Sequence, residues 1–417
     1  MPVIFPSAAV MQGHFALVSA LRAQGFTTAP LESRKPAPGD LFLVADGEAS
    51  PVPARTLILA QADAMAVTPF HDGAPARLSY PMEEAAVAHG MASALLRGPG
   101  APVAADPESL ALMALAERVA AADITVLING PTGTGKEVMA RTIHNGSKRA
   151  DGPFIAVNCA ALPETMLEAM LFGHQKGAFT GASSGGEGFF RAAHGGTLLL
   201  DEIAEMPIQL QAKLLRALQE REVVPIGGTQ AIPIDVRVIA CANRDLQTEV
   251  AEGRFRADLY YRLSVFPLAT RSLAERPGDV AALAAAMIVR HGAGRTALPA
   301  LAPEALAMLQ NHNWPGNVRE LENVIQRAML LAAPERIEAG DIVFDRVAEP
   351  APTTAAPETL SNIVQMSEFQ AIRETLAACG GSRIKTAKKL GISERTLRYR
   401  LAKAREQGDD IVRAVSA

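Results

Sequence analysis

Seven residues, Gly130-Pro131-Thr132-Gly133-Thr134-Gly135-Lys136, constrain this chain more than any others, because their G-x-x-x-x-G-K spacing suits a loop folded around a polyphosphate. Residues 123–128, short, apolar and partly β-branched, predict a buried strand running into the loop. Residues 137–144 lack Gly and Pro and place apolar side chains at helical spacing, which predicts a helix running out of it. In a strand–loop–helix unit the glycines let backbone N–H groups turn inward, and the helix N-terminus adds a favourable dipole. Lys136 would neutralise the β- and γ-phosphates. Glu137 stands where a Ser or Thr usually supplies a hydroxyl to Mg²⁺. On this pattern alone, a glycine-rich turn in an ordinary α/β domain competes on even terms.

A second apolar run settles the matter. Gly196-Thr197-Leu198-Leu199-Leu200-Asp201-Glu202 closes in two carboxylates. Asp201 is placed to hold Mg²⁺, directly or through water, and Glu202 to polarise an attacking water. A surface acidic pair would not normally close a fully apolar run. The two segments together read as a nucleoside-triphosphatase.

Charge is spread unevenly along the chain. Between Ser382 and Arg405 nine Lys and Arg residues face one acid, Glu394, a formal +8 that leaves −12 for the remainder of a chain with net charge −4. Such a concentration at one end points to a polyanionic partner. A helix is expected from Leu360 to Cys379, ended by Gly380-Gly381. Ile384, Ala387 and Leu390 then form the apolar stripe of a short helix. Gly391-Ile392-Ser393 makes a turn with Ser393 as N-cap, and Leu397 and Leu401 line the inner face of a last helix. That is a helix-turn-helix. Arg395, Arg398 and Tyr399, with Thr396 beside them, would reach base edges in the major groove of double-stranded DNA. Lys385, Lys388, Lys389, Arg400 and Lys403 would meet phosphates. The competing reading is a solvated basic helix pair.

A length of 417 residues allows about two to four domains. No uninterrupted apolar run reaches the roughly 18 residues of a membrane span, and the N-terminus lacks a basic region leading into an apolar core. Cys159, Cys241 and Cys379 are scattered, which suits reduced thiols in the cytoplasm. Residues 1–100 predict a small α/β module, with a helix over 15–22 and strands over 40–44 and 56–59. A phosphorylated receiver would show an early acidic pair and a strand-end aspartate. Asp46, the one candidate for the latter, sits a place beyond the strand pattern, so a degenerate, unphosphorylated module is expected. Residues 96–107 and 346–359 read as linkers.

Within residues 108–345, Phe154-Ile155-Ala156-Val157-Asn158 and residues 235–243 predict further strands that end in Asn158 and Asn243 beside the phosphate loop. Gly177-Ala178-Phe179-Thr180-Gly181-Ala182 puts an aromatic and a hydroxyl between glycines. Read alone, it is either a contact tip or a turn with Phe179 buried. Arg256 and Arg262 could project from one side of a subunit toward a neighbour's γ-phosphate, or simply be solvated. Residues 299–332 read as helical, interrupted by Trp314-Pro315-Gly316-Asn317, with Arg319 at the restart able to reach nucleotide from a helical lid.

These residues together resemble the NtrC-like bacterial enhancer-binding proteins, the AAA+ activators of sigma-54 RNA polymerase. The resemblance covers residues 108–345, and the C-terminal segment 360–417 is similar to their Fis-type helix-turn-helix. It implies an α/β fold: an AAA+ P-loop core of parallel sheet flanked by helices, a helical lid from about 275, a small N-terminal α/β module and the C-terminal DNA-binding domain. The most specific motif is the segment 177–182, which in that family engages sigma-54 and so displaces the buried-turn reading.

Carried over by position, Gly130 to Glu137 resembles the family's Walker A, in which Glu after the lysine is ordinary. Asp201 and Glu202 resemble Walker B, Asn158 the partner of the catalytic glutamate, Asn243 sensor I, Arg256 and Arg262 the arginine fingers, and Arg319 sensor II. Met170 and Gln175 stand where acids are common before the loop. The resemblance further implies ATP and Mg²⁺ as cofactors and self-assembly from dimer to hexameric ring. Its implied partners are sigma-54 RNA polymerase holoenzyme and enhancer DNA, with no membrane. Flagellar gene activators of that family often carry such a degenerate receiver, so the resemblance extends to control of flagellar genes. The alternative is a DNA-binding regulator of other transcription on the same scaffold; a general unfoldase or helicase would not explain the basic tail.

Overall fold

Two parallel sheets, one at the front of the chain and one around the glycine loop, organise the fold in a computed structural model. It describes residues 3–31, 37–98, 101–178 and 184–345, and in the C-terminal region residues 372, 375–376, 379, 382–392, 394 and 396–397. The chain divides into one unit at Met1–Asp345 and another at Arg346–Ala417.

The front module runs β1 (Val3–Pro6), α1 (Ala8–Gly13), α2 (Phe15–Ala23), β2 (Thr27–Thr28), β3 (Leu41–Ala45), β4 (Thr56–Gln61), β5 (Ala66–Thr68), β6 (Ala76–Tyr80) and α3 (Ala85–Arg97). Its strand order is β2-β1-β3-β4-β6-β5, parallel except for β5 at the edge. Without that edge strand, the order is the 2-1-3-4-5 of a doubly wound sheet. No α-helix crosses between β3 and β4, where only a 3₁₀ turn at Pro53–Arg55 intervenes, and the β5 hairpin replaces the next crossover. The expected strands at 40–44 and 56–59 lie within one or two residues of β3 and β4. The short β1, β2, β5 and β6 were not anticipated.

The ATPase region continues with α4 (Pro107–Ala120), β7 (Val126–Asn129), α5 (Lys136–Asn145), β8 (Phe154–Asn158), α6 (Glu164–Phe172), α7 (Phe189–Ala192), β9 (Thr197–Asp201), α8 (Ile208–Glu220), β10 (Glu222–Val223), β11 (Ile232–Pro233), β12 (Arg237–Ala242), α9 (Leu246–Ala251), α10 (Ala257–Leu263) and β13 (Phe266–Ala269). The main sheet has the order β13-β7-β12-β9-β8, all parallel. Its central strands are buried on both faces, as in sheets covered by helices on each side, and so read as continuous apolar runs. All five strands therefore end on the same side of the sheet.

The lid comprises α11 (Gly278–His291), β14 (Ala300–Leu301), α12 (Pro303–Gln310), α13 (Asn317–Leu331) and β15 (Arg336–Ile337). The break expected at 314–317 is present; the small β14–β15 pair was not foreseen. The front module shares one apolar core with the lid: Val87, Met91 and Leu95 of α3 join Val280, Ala284 and Ile288 of α11. Gly90 permits this approach, since a Cβ there would stand 2.9 Å from Ala285 Cβ. Arg336 of β15 pairs with the buried Glu84 at 2.9 Å, and Leu298 N–H donates to Val67 O of β5 at 2.9 Å.

The segment expected as a linker over 96–107 is tied down where it is described. The buried Asp279 of α11 accepts the N–H groups of Ala105 and Asp106 at 2.7 and 2.8 Å and the Ser109 hydroxyl at 2.5 Å.

In the C-terminal unit, α14 (Arg383–Lys389) is followed by Gly391 in a left-handed conformation, φ 68°. Ala387 and Leu397 are buried together with Ile372 and Leu376, and Leu390 and Ile392 pack against them. The Thr386 hydroxyl, also buried, donates to Ser382 O at 2.9 Å. Among the described residues no helix is long and apolar enough to cross a membrane.

Candidate functional site

The C-terminal ends of the parallel strands bring the glycine loop, Asp201, Glu202, Asn158 and Asn243 to one rim, where open α/β sheets place their ligands. β7 leads into the glycine loop, and three of its glycines adopt left-handed backbone: Gly130 φ 149°, Gly133 φ 78° and Gly135 φ 100°. At Gly130 a Cβ would meet the Thr270 hydroxyl at 2.1 Å, so no larger residue fits there. Lys136 opens α5. Its ammonium donates to Gly130 O at 2.7 Å and Pro131 O at 2.9 Å and so lies across the mouth of the loop. Burial lowers its pKa; Asp201 and Glu202 oppose the shift and Arg319 adds to it. The Thr134 hydroxyl donates to Pro131 O and is shared with Thr270 Oγ1, each at 2.8 Å. Glu137 pairs with Arg141 on the outer face of α5 at 2.8 Å.

Strand register fixes the next neighbours. Ala242 stands beside Asn129, and Asn158 beside Asp201. Glu202, immediately after β9, sits at φ 53° and ψ 45°, a left-handed conformation that side-chain-bearing residues rarely adopt. Its N–H donates to Asp201 Oδ1 at 3.0 Å. Burial raises the Asp201 pKa, against the pull of that N–H and of Lys136. Asn158 Oδ1 accepts Ala160 N–H at 2.8 Å. Asn129 Oδ1 and Asn243 Oδ1, at the ends of adjacent strands, are buried acceptors without hydrogen-bond partners among the described residues. Buried polar atoms are normally satisfied, so two orphans here mark a place that receives a ligand or water.

Asp201, Asn129 and Asn243 supply oxygen donors at the ends of neighbouring strands, the ligand type a hard divalent cation takes. Among the described residues no group of three His, Cys, Asp or Glu side chains could hold a metal by itself. A Mg²⁺ would therefore rest on Asp201 and complete its shell with phosphate and water oxygens, its usual habit.

A cavity of about 220 Å³ opens beside the loop, lined by Val103, Leu112, Met139, Leu283 and Met287 and bounded by Thr134 and Gly135 on the phosphate side. No local pattern announces it, because its walls come from the 101–104 segment, two core helices and the lid. The lid also reaches the loop directly. Arg319 is exposed, and its Cβ lies 3.4 Å from where a Cβ on Gly133 would stand. Asn317, Val318 and Arg276 donate to loop carbonyls. Sequence reasoning missed Asn129, Asn317 and Arg276. The one available signal for Asn317 was its type, since asparagine tolerates left-handed backbone and the residue sits at φ 53°.

The structure does not bring Arg256 and Arg262 to this rim. Arg256 pairs with Asp258 at 2.8 Å, and Arg262 donates to Leu218 O at 2.8 Å. Both are exposed, next to Tyr261 at 75% exposure, and among the described residues neither bonds the loop or the carboxylates.

Of the segment 177–182, Gly177 and Ala178 are described; Phe179, Thr180, Gly181 and Ala182 lie outside the described residues. Its neck is defined. His174 and Gly186 exchange backbone hydrogen bonds at 3.0 and 2.9 Å, while Gln175 N–H donates to Ile226 O and Ile226 N–H to Gly173 O, both at 2.9 Å. Both strands of the loop thus leave from a three-stranded stitch. In the C-terminal unit Lys385 is exposed and Thr396 half-buried. Arg395, Arg398, Tyr399 and Lys403, and the side chain of Lys388, lie outside the described residues.

Comparison with known proteins agrees with this geometry. Family profiles match residues 103–269 as a sigma-54 interaction domain, 274–359 as an AAA+ ATPase lid domain and 364–403 as a bacterial regulatory protein of the Fis family. The chain is 48% identical to the response regulator protein FleR of Pseudomonas aeruginosa over 378 residues, which is 83% of this chain and 80% of FleR. It is 46% identical to the transcriptional regulatory protein FlbD of Caulobacter vibrioides over 322 residues, 73% of this chain and 70% of FlbD. The crystal structure of Brucella abortus NtrX in complex with ATP aligns over 97% of this chain and 99% of that one, with a TM-score of 0.53 at 26% identity. An AAA+ core, its lid and a Fis-type DNA-binding domain follow one another in the order the sequence implied, and the chain belongs to the sigma-54-dependent transcriptional activators, whose AAA+ domain is an ATPase.

Proposed function

We propose that the rim formed by Lys136, Asp201, Glu202 and Asn243 hydrolyses ATP, and that the work is delivered to sigma-54 holoenzyme through the loop at 177–182. The observation that carries this reading is the pair of orphaned buried carbonyls, Asn129 Oδ1 and Asn243 Oδ1, beside the paired carboxylates and the buried ammonium. The loop residues Gly130 to Glu137 bind the phosphates, and the apolar cavity takes the base. Asp201 holds Mg²⁺, which neutralises charge on the β- and γ-phosphates when bound. Glu202 orients and polarises the attacking water, helped by Asn243, and Asn158 restrains Glu202 in one nucleotide state. Arg319 reaches the phosphates from the lid.

Arg256 and Arg262 bond Asp258 and Leu218 O rather than the groups of their own site, so they act on the site of the next subunit. That requirement makes a closed head-to-tail ring, a hexamer, the working form. Hydrolysis shifts the stitched neck at His174, Gly186 and Ile226, and with it the Phe179–Thr180 tip, which remodels the closed promoter complex. The C-terminal residues Lys385, Lys388, Arg395, Thr396, Arg398, Tyr399 and Lys403 hold the assembly on enhancer DNA.

The front module (residues 1–100) is a receiver-like regulator that is not phosphorylated. β1 ends in Pro6 and Ser7 rather than acids, the Ser7 hydroxyl donates to Glu48 at 2.6 Å, and Asp46 is paired with Arg77 at 3.0 Å. Control of flagellar genes from the cytoplasm fits such a module. In vitro transcription with sigma-54 holoenzyme, with and without ATP, tests the central claim: open complexes should form only with ATP, and ATP-independent activation would end it.

A further inference from the structure

Three consecutive carbonyls of the P-loop are each held by a different donor of the lid. Thr132 O accepts from Asn317 Nδ2 at 2.9 Å, Gly133 O from Val318 N–H at 3.0 Å, and Thr134 O from Arg276 Nη2 at 2.8 Å. In a trans peptide plane the C=O and N–H point in opposite directions. Fixing these carbonyls on the lid side turns the N–H groups of Gly133, Thr134 and Gly135 to the other face, where a phosphate is cradled.

We infer that Asn317 is a positioning residue that presets the phosphate-binding face of the P-loop, with Arg276 as its companion. Both are themselves anchored. Asn317 is 4% exposed, and its side-chain amide is engaged at both ends, Oδ1 accepting Leu273 N–H at 2.8 Å. Arg276 is held by the buried Asp279 at 3.0 Å. Gly133 has no Cβ to push the two parts apart, since one would stand 2.5 Å from Gly316 O. The grip is stiff, because Trp314 and Asn317, two left-handed residues three apart, are both buried in the turn that delivers it. The lid thus sets the donor geometry that the phosphates meet, and any phosphate-driven shift of the loop pulls on the lid. This rests on the reading that the loop takes the phosphates of ATP.

The test is Asn317→Asp in the full chain. Aspartate keeps the size, the tolerance for left-handed backbone and the acceptor toward Leu273, but replaces the donor to Thr132 O with an oxygen. Competition against a fluorescent ATP analogue should show the Kd for ATP raised about tenfold, the scale of one hydrogen bond. The Kd for AMP, which lacks the β- and γ-phosphates, should change less than twofold, and KM for ATP should rise with kcat retained. Asn317→Gly, at ease at this φ and lacking both bonds, should give the same split and serves if the aspartate variant does not fold. Equal losses for ATP and AMP would mean a loosened lid only, and unchanged ATP affinity would mean no role; either overturns the inference. Wild-type protein that fails to bind ATP would instead overturn the assignment of the loop.

Discussion

Gly90 of the front module and Ala285 of the lid helix α11 meet so closely that a Cβ on the glycine would stand 2.9 Å from the alanine Cβ. Ala282 Cα would be 3.0 Å away, so the neighbour that must yield includes backbone. Gly90→Val overfills this contact and should destabilise the unit by about 1–3 kcal/mol. Thermal unfolding with limited proteolysis around residues 98–104 reads it directly. A variant with unchanged melting and unchanged cleavage would show that module and lid do not depend on one another.

Glu202→Gln keeps size and polarity but cannot serve as a base. ATP affinity should stay near wild type while turnover falls by about 10²–10⁴. Normal hydrolysis by that variant would refute the role given to Glu202.

Arg262→Ala should also be inactive if its guanidinium serves the next subunit. Mixing it with Glu202→Gln then offers a sharper check, because an interface between an intact Glu202 and an intact neighbouring Arg262 occurs in about a quarter of random pairings around a head-to-tail ring. Two dead preparations should recover activity on mixing. No recovery, with subunit exchange verified, would place Arg262 outside the neighbour's site.

Thr180→Ala should leave ATPase activity within about twofold and abolish open-complex formation, since Thr180 is given no part in binding or splitting the nucleotide. Unimpaired transcription would remove the loop from the mechanism.

The pH dependence of stability has one clear source in Arg149, which bridges Asp123 and Asp235, each at 2.7 Å. Its hydrogen bonds hold both carboxyl groups below the ordinary aspartate range. Folded-state values below the unfolded ones contribute stability above the unfolded range, near pH 4, and lose it as pH falls through the folded values. With both carboxylates half-exposed, solvent screening limits the bridge to about 1–2 kcal/mol. Arg149→Met should therefore be less stable than wild type at pH 7, with the difference shrinking under acid. Denaturant titrations at the two pH values decide it; a pH-independent difference would assign Arg149 a packing role instead.

Much of the site was legible because its pieces are local. The loop 130–136, the carboxylates closing β9 and the asparagines ending β8 and β12 each lie in a short run whose apolar pattern fixes the strand and hence the rim. Lid contacts were not legible for the opposite reason. Asn317 meets Thr132, 185 residues away, and Asp279 holds Ala105 and Ser109 from 174 and 170 residues away. No short stretch of sequence encodes either meeting. The front module hid strands for two reasons: Val3–Pro6 is too brief for periodicity to separate strand from loop, and Ala76–Tyr80, as long as β3, carries Arg77 and Ser79 where β3 is apolar throughout. Segment 96–107 looked loose by composition, yet Asp279 holds the backbone at Ala105 and Asp106.

Glu202 occupies a backbone region that glycine or asparagine would enter more easily. Substituting either would relax the chain and remove the carboxylate in one stroke. Selection for thermal robustness alone would push this position toward inactivity, so any directed-evolution scheme on this scaffold needs a functional screen running alongside the stability one.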